Sequence, residues 1–145
     1  MQPILLLLFV GLLGGAAVGL QGPLSSFITQ RLGLFESVFI VHLGGALVSL
    51  LPLLFMGGGR LSHWRELPWY ALAAGFFGLV VLGAISYLIP RIGAASATIA
   101  IVAGQLLVAT LLDHYGLLGA ALRPVDFTRL LGLGVVLLGL WLTVK

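Results

Sequence analysis

Charged residues are scarce in this chain. Asp, Glu, Lys and Arg make up only 8% of its 145 residues, whereas a soluble domain carries about 25%. Hydrophobic residues make up 61%, and the mean hydropathy is +1.23. A surface with so little charge would not stay in water, so the sequence predicts an integral membrane protein.

Cysteine is absent, which excludes disulfides, thiolate metal sites and cysteine nucleophiles. The three histidines fall in different segments without metal-ligand spacing, so we expect no metal. The seven Lys and Arg residues are scattered, which argues against nucleic-acid binding. The apolar segments hold no paired carboxylates and no nucleophile–base pair, so we expect neither enzyme activity nor a cofactor.

What the chain does contain is five apolar segments, each near the roughly 20 residues that a membrane-spanning helix needs. They are predicted at about 4–30, 36–56, 68–89, 93–113 and 126–144. The segment "PRIG" is predicted to form a tight turn between the third and fourth spans. We therefore expect an all-α bundle of five transmembrane helices, forming a single domain over residues 1–145.

The basic residues specify the orientation of this bundle only weakly. Five spans place the termini on opposite sides, and the N-terminal side receives four basic residues against three on the other: Arg60, Arg65, Arg123 and Arg129 against Arg31, Arg91 and Lys145. Positive charge in short loops normally fixes orientation. Either this small excess suffices, or copies insert both ways and pair antiparallel.

The first span contains the polar interruption "LQGPLSS". Pro23 lacks an N–H and follows Gly22, so we expect the helix to bend at this hinge. Gly11, Gly15 and Gly19 form a stripe that lets another helix approach closely. Gln21 and Ser25 lie on a different face. That face either lines a cavity, or Gln21 simply bonds to a neighbouring helix across a proline kink.

Polar side chains of four spans fall at similar predicted depths and suggest one vestibule. The proposed substrate-binding residues are Gln21, Ser25, His42, Tyr87 and Gln105. Of these, His42 is also a candidate for coupling, because ionisable groups inside a membrane are costly and often functional. A neutral histidine bonded to a hydroxyl is the alternative.

Two acidic residues lie at predicted helix ends. Glu36 opens the second span, where the helix dipole favours an acid, so a capping role competes with a role in coupling or gating. Asp113 closes the fourth span, where the dipole disfavours an anion. Asp113 is therefore either a gating or coupling residue, or part of a structural corner with Arg123 or Arg129 as partner.

Several stretches in order resemble the YdcZ-like family of the drug/metabolite transporter superfamily. The most specific are "GQLLVATLLDHYGLLG" and "RPVDFTRLLGLGVVLLGLWL", which follow "LQGPLSSFITQRLG" upstream. The resemblance covers almost the whole chain. It implies a multi-pass protein of a prokaryotic inner membrane that moves small molecules as a dimer. The small multidrug resistance proteins of the same superfamily carry a Glu within their first helix. This chain has no acid there, so their proton-exchange mechanism is not implied.

The leading functional hypothesis is a secondary transporter of a small organic solute that works by alternating access as a dimer. Inverted-topology repeats provide the two similar states that alternating access needs, and a five-helix chain can obtain its inverted half from a second copy. We expect a homodimer, antiparallel by preference, or a heterodimer with a homologue. The alternative is a non-transporting membrane subunit that assembles with a larger or homologous partner.

Overall fold

The computed structural model describes residues 4–144, and every regular element in that range is helical. Five α-helices follow one another: α1 (Ile4–Leu32), α2 (Leu34–Phe55), α3 (Trp69–Leu72), α4 (Ala74–Tyr115) and α5 (Phe127–Val144). Short 3-10 helices cover Leu61–Glu66 and Leu117–Gly119. The predicted all-α class is confirmed. Lys145, one of the seven basic residues, lies outside the described range.

The helices are long and apolar enough to cross a membrane. Four helical stretches of residues 4–144 meet that condition, and one of them, Trp69–Tyr115, has 47 residues and includes both α3 and α4. Its backbone leaves the helical conformation at Gly93, with φ 80° and ψ 163°. A φ this positive suits glycine, which has no Cβ to clash. The break divides α4 into 74–92 and 94–115, each close to the ~20 residues of one span.

The break between the third and fourth predicted spans is narrower than the sequence suggested. The helix continues through Pro90 and Arg91, and only Gly93 departs from it. "PRIG" is therefore a helix interruption at its last residue rather than a four-residue turn.

The chain divides into two compact units, Met1–Tyr87 and Leu88–Lys145. In the first unit, α1 and α2 pack against each other and are joined by Gly33 alone. Gly33 has φ 115° and ψ 164°, a backbone conformation that only glycine adopts at little cost. The single domain expected over residues 1–145 stays a prediction.

Proline does not interrupt α1. The helix is continuous from Ile4 to Leu32 with Pro23 inside it. A bend at Gly22 and Pro23 within this continuous helix stays a prediction.

Apolar side chains of residues 4–144 face outward almost everywhere. The buried ones are Leu82, Ile85, Ala97 and Ala103. The most apolar windows of α1, α2 and α5 have none of their residues buried. An outward-facing apolar surface is the arrangement that a lipid environment requires, because acyl chains are as apolar as leucine.

Candidate functional site

The buried residues of the first unit include several polar side chains. Four of its serines are buried, and we call them the serine cluster: Ser25, Ser26, Ser37 and Ser86, with exposed fractions of 1%, 1%, 0% and 9%. They come from α1, α2 and the first half of α4. Small side chains of this kind let membrane helices approach closely and bond across their interface.

Two hydrogen bonds join the three helices through this cluster. Ser37 Oγ donates to the backbone carbonyl of Ser25 at 3.0 Å, which ties α2 to α1. The hydroxyls of Thr29 and Ser86 lie 2.9 Å apart and tie α1 to α4. A third bond, from Gln30 Nε2 to Ser26 Oγ at 3.2 Å, stays within α1. Hydroxyl hydrogen bonds therefore join α1 both to α2 and to α4.

Ser25 differs from the other members of the cluster. Its Oγ is buried and has no hydrogen-bond partner among residues 4–144. A buried hydroxyl left unpaired costs about 1–3 kcal/mol. Ser25 Oγ is therefore the atom of the cluster best able to take a further hydrogen bond.

His42 is exposed on α2. Its Nδ1 lies 2.8 Å from the carbonyl oxygen of Val38, one turn earlier. The ring also rests on the backbone of Gly78 in α4. A Cβ atom built at Gly78 would lie 2.8 Å from His42 Cε1 and closer still to Nε2.

The other proposed substrate-binding residues have different surroundings. Gln21 and Tyr87 are exposed in the first unit, and Gln105 is exposed in the second. Ser25 alone is buried. The structure brings Ser25 together with Ser37, whereas a shared vestibule for the five predicted residues stays a prediction.

Among the predicted substrate-binding residues, only Ser25 belongs to the cluster, and no role was predicted from the sequence for Ser26 or Ser37. Ser26 follows Ser25 directly and does not share the four-residue spacing of Gln21 and Ser25, so it was not assigned to their face of the helix. Ser37 lies in the first turn of α2, where hydroxyls are ordinary. A signal was available: small polar residues at the facing ends of two spans joined by one glycine.

The predicted glycine stripe is uncovered within the described chain. Gly11, Gly15 and Gly19 have no atom within 4 Å of the position that a Cβ would occupy. The face of α1 that packs within this chain is the serine face. Close packing on the glycine stripe therefore stays a prediction, and it requires a partner from outside the described residues.

Asp113 belongs to a corner in the second unit. Arg129 Nη1 lies 3.7 Å from its Oδ2, and both side chains are about one-third exposed. The same Arg129 nitrogen donates to the carbonyl of Arg123 at 3.0 Å. The N–H of Arg123 donates to the backbone carbonyl of Asp113 at 2.8 Å. These contacts favour the structural interpretation of Asp113, and its gating role stays a prediction.

The same corner fixes the start of α5. Asp126 Oδ1 accepts from the N–H of Arg129 at 2.8 Å, which is the geometry of a helix N-cap. His114 Nδ1 accepts from the N–H of Val125 at 3.0 Å. The segment "DHYG" and the segment "RPVDFTR" therefore meet through backbone and side-chain bonds.

Glu36 lies at the start of α2. Its carboxylate reaches back over Gly33, where Oε2 contacts the position of an added Cβ. An acid in the first turn is stabilised by the positive end of the helix dipole. No side-chain hydrogen bond caps this helix start within the described residues, so the capping role and the coupling role of Glu36 both stay predictions. Within residues 4–144, no three His, Cys, Asp or Glu side chains group as metal ligands.

Helices of span length with outward apolar faces and buried hydroxyls define a multi-pass α-helical membrane protein. Residues 6–142 match the family model DMT_YdcZ, described as "Putative inner membrane exporter, YdcZ". The chain belongs to this family, which is described as a membrane exporter family, and it is a multi-pass inner membrane protein. The searches of curated proteins and of solved structures found no match.

Proposed function

We propose that this chain is one subunit of a secondary transporter that exports a small organic solute. It works by alternating access as a dimer, and the two copies are most favourably antiparallel. The family description supports the export of a solute across the inner membrane.

The observation that carries the assembly is the uncovered glycine face of α1. Three glycines at four-residue spacing have open space where a side chain would be, over the apolar part of a span. Such stripes are the surfaces on which membrane helices dimerise. A second copy placed in the opposite orientation would supply the inverted repeat that alternating access uses. The basic residues, four against three, allow both orientations.

For the solute, the proposed contacts are Gln21, His42, Tyr87 and Gln105, which are exposed, and Ser25, which is buried. Ser25 Oγ has no hydrogen-bond partner among the described residues. It can therefore bond to the solute or to water when α1 and α2 move apart. His42 is the proposed coupling group, and Glu36 and Asp113 are the weaker candidates. No cofactor enters the cycle.

The test is solute export from proteoliposomes loaded with a small-molecule extract of bacterial cells. Mass spectrometry of the external medium, compared with protein-free liposomes, identifies any solute that leaves. We expect at least one class of solute to be released. Gln21→Ala and His42→Ala should each lower that release by about tenfold, equivalent to about 1.4 kcal/mol of barrier.

The matched control is Ser49→Ala on α2. Ser49 is exposed and bonds only to its own helix, at Ala46 O, 3.0 Å away, so this variant should release solute at the wild-type rate. Normal release by both Gln21→Ala and His42→Ala would contradict the proposed site. If nothing is released, the transporter proposal fails in favour of a membrane subunit that acts through a partner.

A further inference from the structure

We infer that Gly78 is a positioning residue for His42. Together with the carbonyl of Val38, Gly78 holds the imidazole in one orientation and, when the ring is neutral, in one tautomer. This inference rests on the proposed function, because it concerns the geometry of the histidine assigned to that site.

The bond to Val38 determines which ring nitrogen of His42 carries the proton. The carbonyl oxygen of Val38 is only an acceptor, so the ring nitrogen 2.8 Å away must be the donor. His42 Nδ1 therefore carries the proton, and in the neutral ring Nε2 is left with its lone pair. The partner of one ring nitrogen decides the state of the other.

The contact with Gly78 leaves no room for a side chain at position 78. The ring edge made by Nε2 and Cε1 occupies the space that a Cβ at position 78 would take. Separations under 3 Å are far shorter than the roughly 3.5–4.0 Å at which non-bonded carbons rest. A side chain at position 78 must therefore shift the ring or the backbone beside it, and we expect this shift to misalign Nδ1 with Val38 O.

The close approach of the imidazole is found at Gly78 and not at the neighbouring Gly75. Gly75 lies three residues earlier, about one turn away on the same helical stretch, and has no atom within 4 Å of its Cβ position. A methyl group at position 75 meets open space, and a methyl group at position 78 meets the imidazole. Gly75→Ala is thus a control of identical chemistry.

The direct readout is the ¹⁵N spectrum of histidine-labelled protein in detergent micelles, at an alkaline pH where the ring is neutral. The His42 signals are assigned from their loss in His42→Ala. In the wild type and in Gly75→Ala, we expect Nδ1 to be protonated and Nε2 unprotonated. In Gly78→Ala this pattern should be replaced by a mixture of tautomers. An unchanged His42 spectrum in Gly78→Ala, or an equal change in Gly75→Ala, would overturn the inference.

A double-mutant cycle covers the case in which Gly78→Ala folds poorly. In the wild-type background Gly78→Ala should lower the resistance to SDS unfolding more than Gly75→Ala does. In the His42→Ala background the two alanine variants should behave alike, since the ring is gone. A Gly78→Ala defect that persists undiminished without the ring would refute the role of His42 in it.

Solute release separates this inference from the proposed function. If His42→Ala impairs release, Gly78→Ala should impair it to the same level and Gly75→Ala should not. Impaired His42→Ala with normal Gly78→Ala refutes the positioning role and keeps the proposed site. Normal release by His42→Ala refutes the proposed site, whereas the spectrum still decides whether Gly78 positions the ring.

Discussion

Replacing Ser37 with alanine tests whether hydroxyls hold the first unit together. Ser37 is fully buried, and its Oγ donates to the Ser25 carbonyl of the neighbouring helix. Alanine removes this bond and leaves a gap of about one oxygen atom. Hydrogen bonds between membrane helices average about 0.6 kcal/mol and reach about 1.7. We therefore expect a loss of about 1 kcal/mol, which changes the folding equilibrium about fivefold.

The assay is SDS-induced unfolding from detergent micelles, followed by circular dichroism. Ser49→Ala is the control on the same helix, since the Ser49 hydroxyl bonds only to Ala46 of its own helix. Its cost should be near zero, because alanine favours helix slightly over serine. Equal costs for the two variants, or no cost for Ser37→Ala, would refute a stabilising bond between α1 and α2 at Ser37.

Three further predictions concern the turn, the cap and the α1–α4 contact. Gly33→Ala should cost about 1–3 kcal/mol in SDS unfolding, because φ is 115° and the new Cβ meets Glu36. Asp126→Ala should lower the free energy of unfolding by about 1 kcal/mol in the same assay, because α5 loses its N-cap. Thr29→Cys with Ser86→Cys should form a disulfide on oxidation, detected by mass spectrometry of peptides, since the hydroxyls are 2.9 Å apart.

Each of these three predictions has a control variant that lacks the proposed cause of the effect. Gly44→Ala adds a methyl in open space within α2, so it should be neutral or stabilise by up to about 1 kcal/mol. Asp126→Asn keeps a capping oxygen and should retain most of the stability. Tyr87→Cys replaces Ser86→Cys at a neighbouring exposed position and should not form the cross-link. If a control variant gives the same result as its test variant, the physical reason given for that prediction is wrong.

The sequence was sufficient for the spans because hydrophobic length is a strong signal. The predicted ends of the first, second and fifth spans differ from α1, α2 and α5 by no more than about two residues, as is usual for helix boundaries. The third and fourth spans were separated at the right place, but the helix runs on to Gly93 itself. A proline marks a probable boundary, and here the glycine three residues later is the actual one.

The polar interior was predicted only in part, because spacing along one helix does not show which neighbour covers it. Ser25 was placed on the polar face of α1, and it is buried there. The bond from Ser37 depends on how closely α2 folds back after Gly33, which no local pattern reports. The contact of His42 with Gly78 likewise joins residues 36 positions apart in the chain.

The most direct test of the dimeric, dual-orientation transporter is solute release by versions forced into one orientation. Two lysines added after Lys145 should bias the chain one way, and two lysines inserted after Gly57 should bias it the other way. We expect each biased version alone to release little solute, and the two co-expressed versions to restore release to near the wild-type rate. Full release by either version alone, with tags accessible from only one side of the membrane, would contradict the antiparallel assembly.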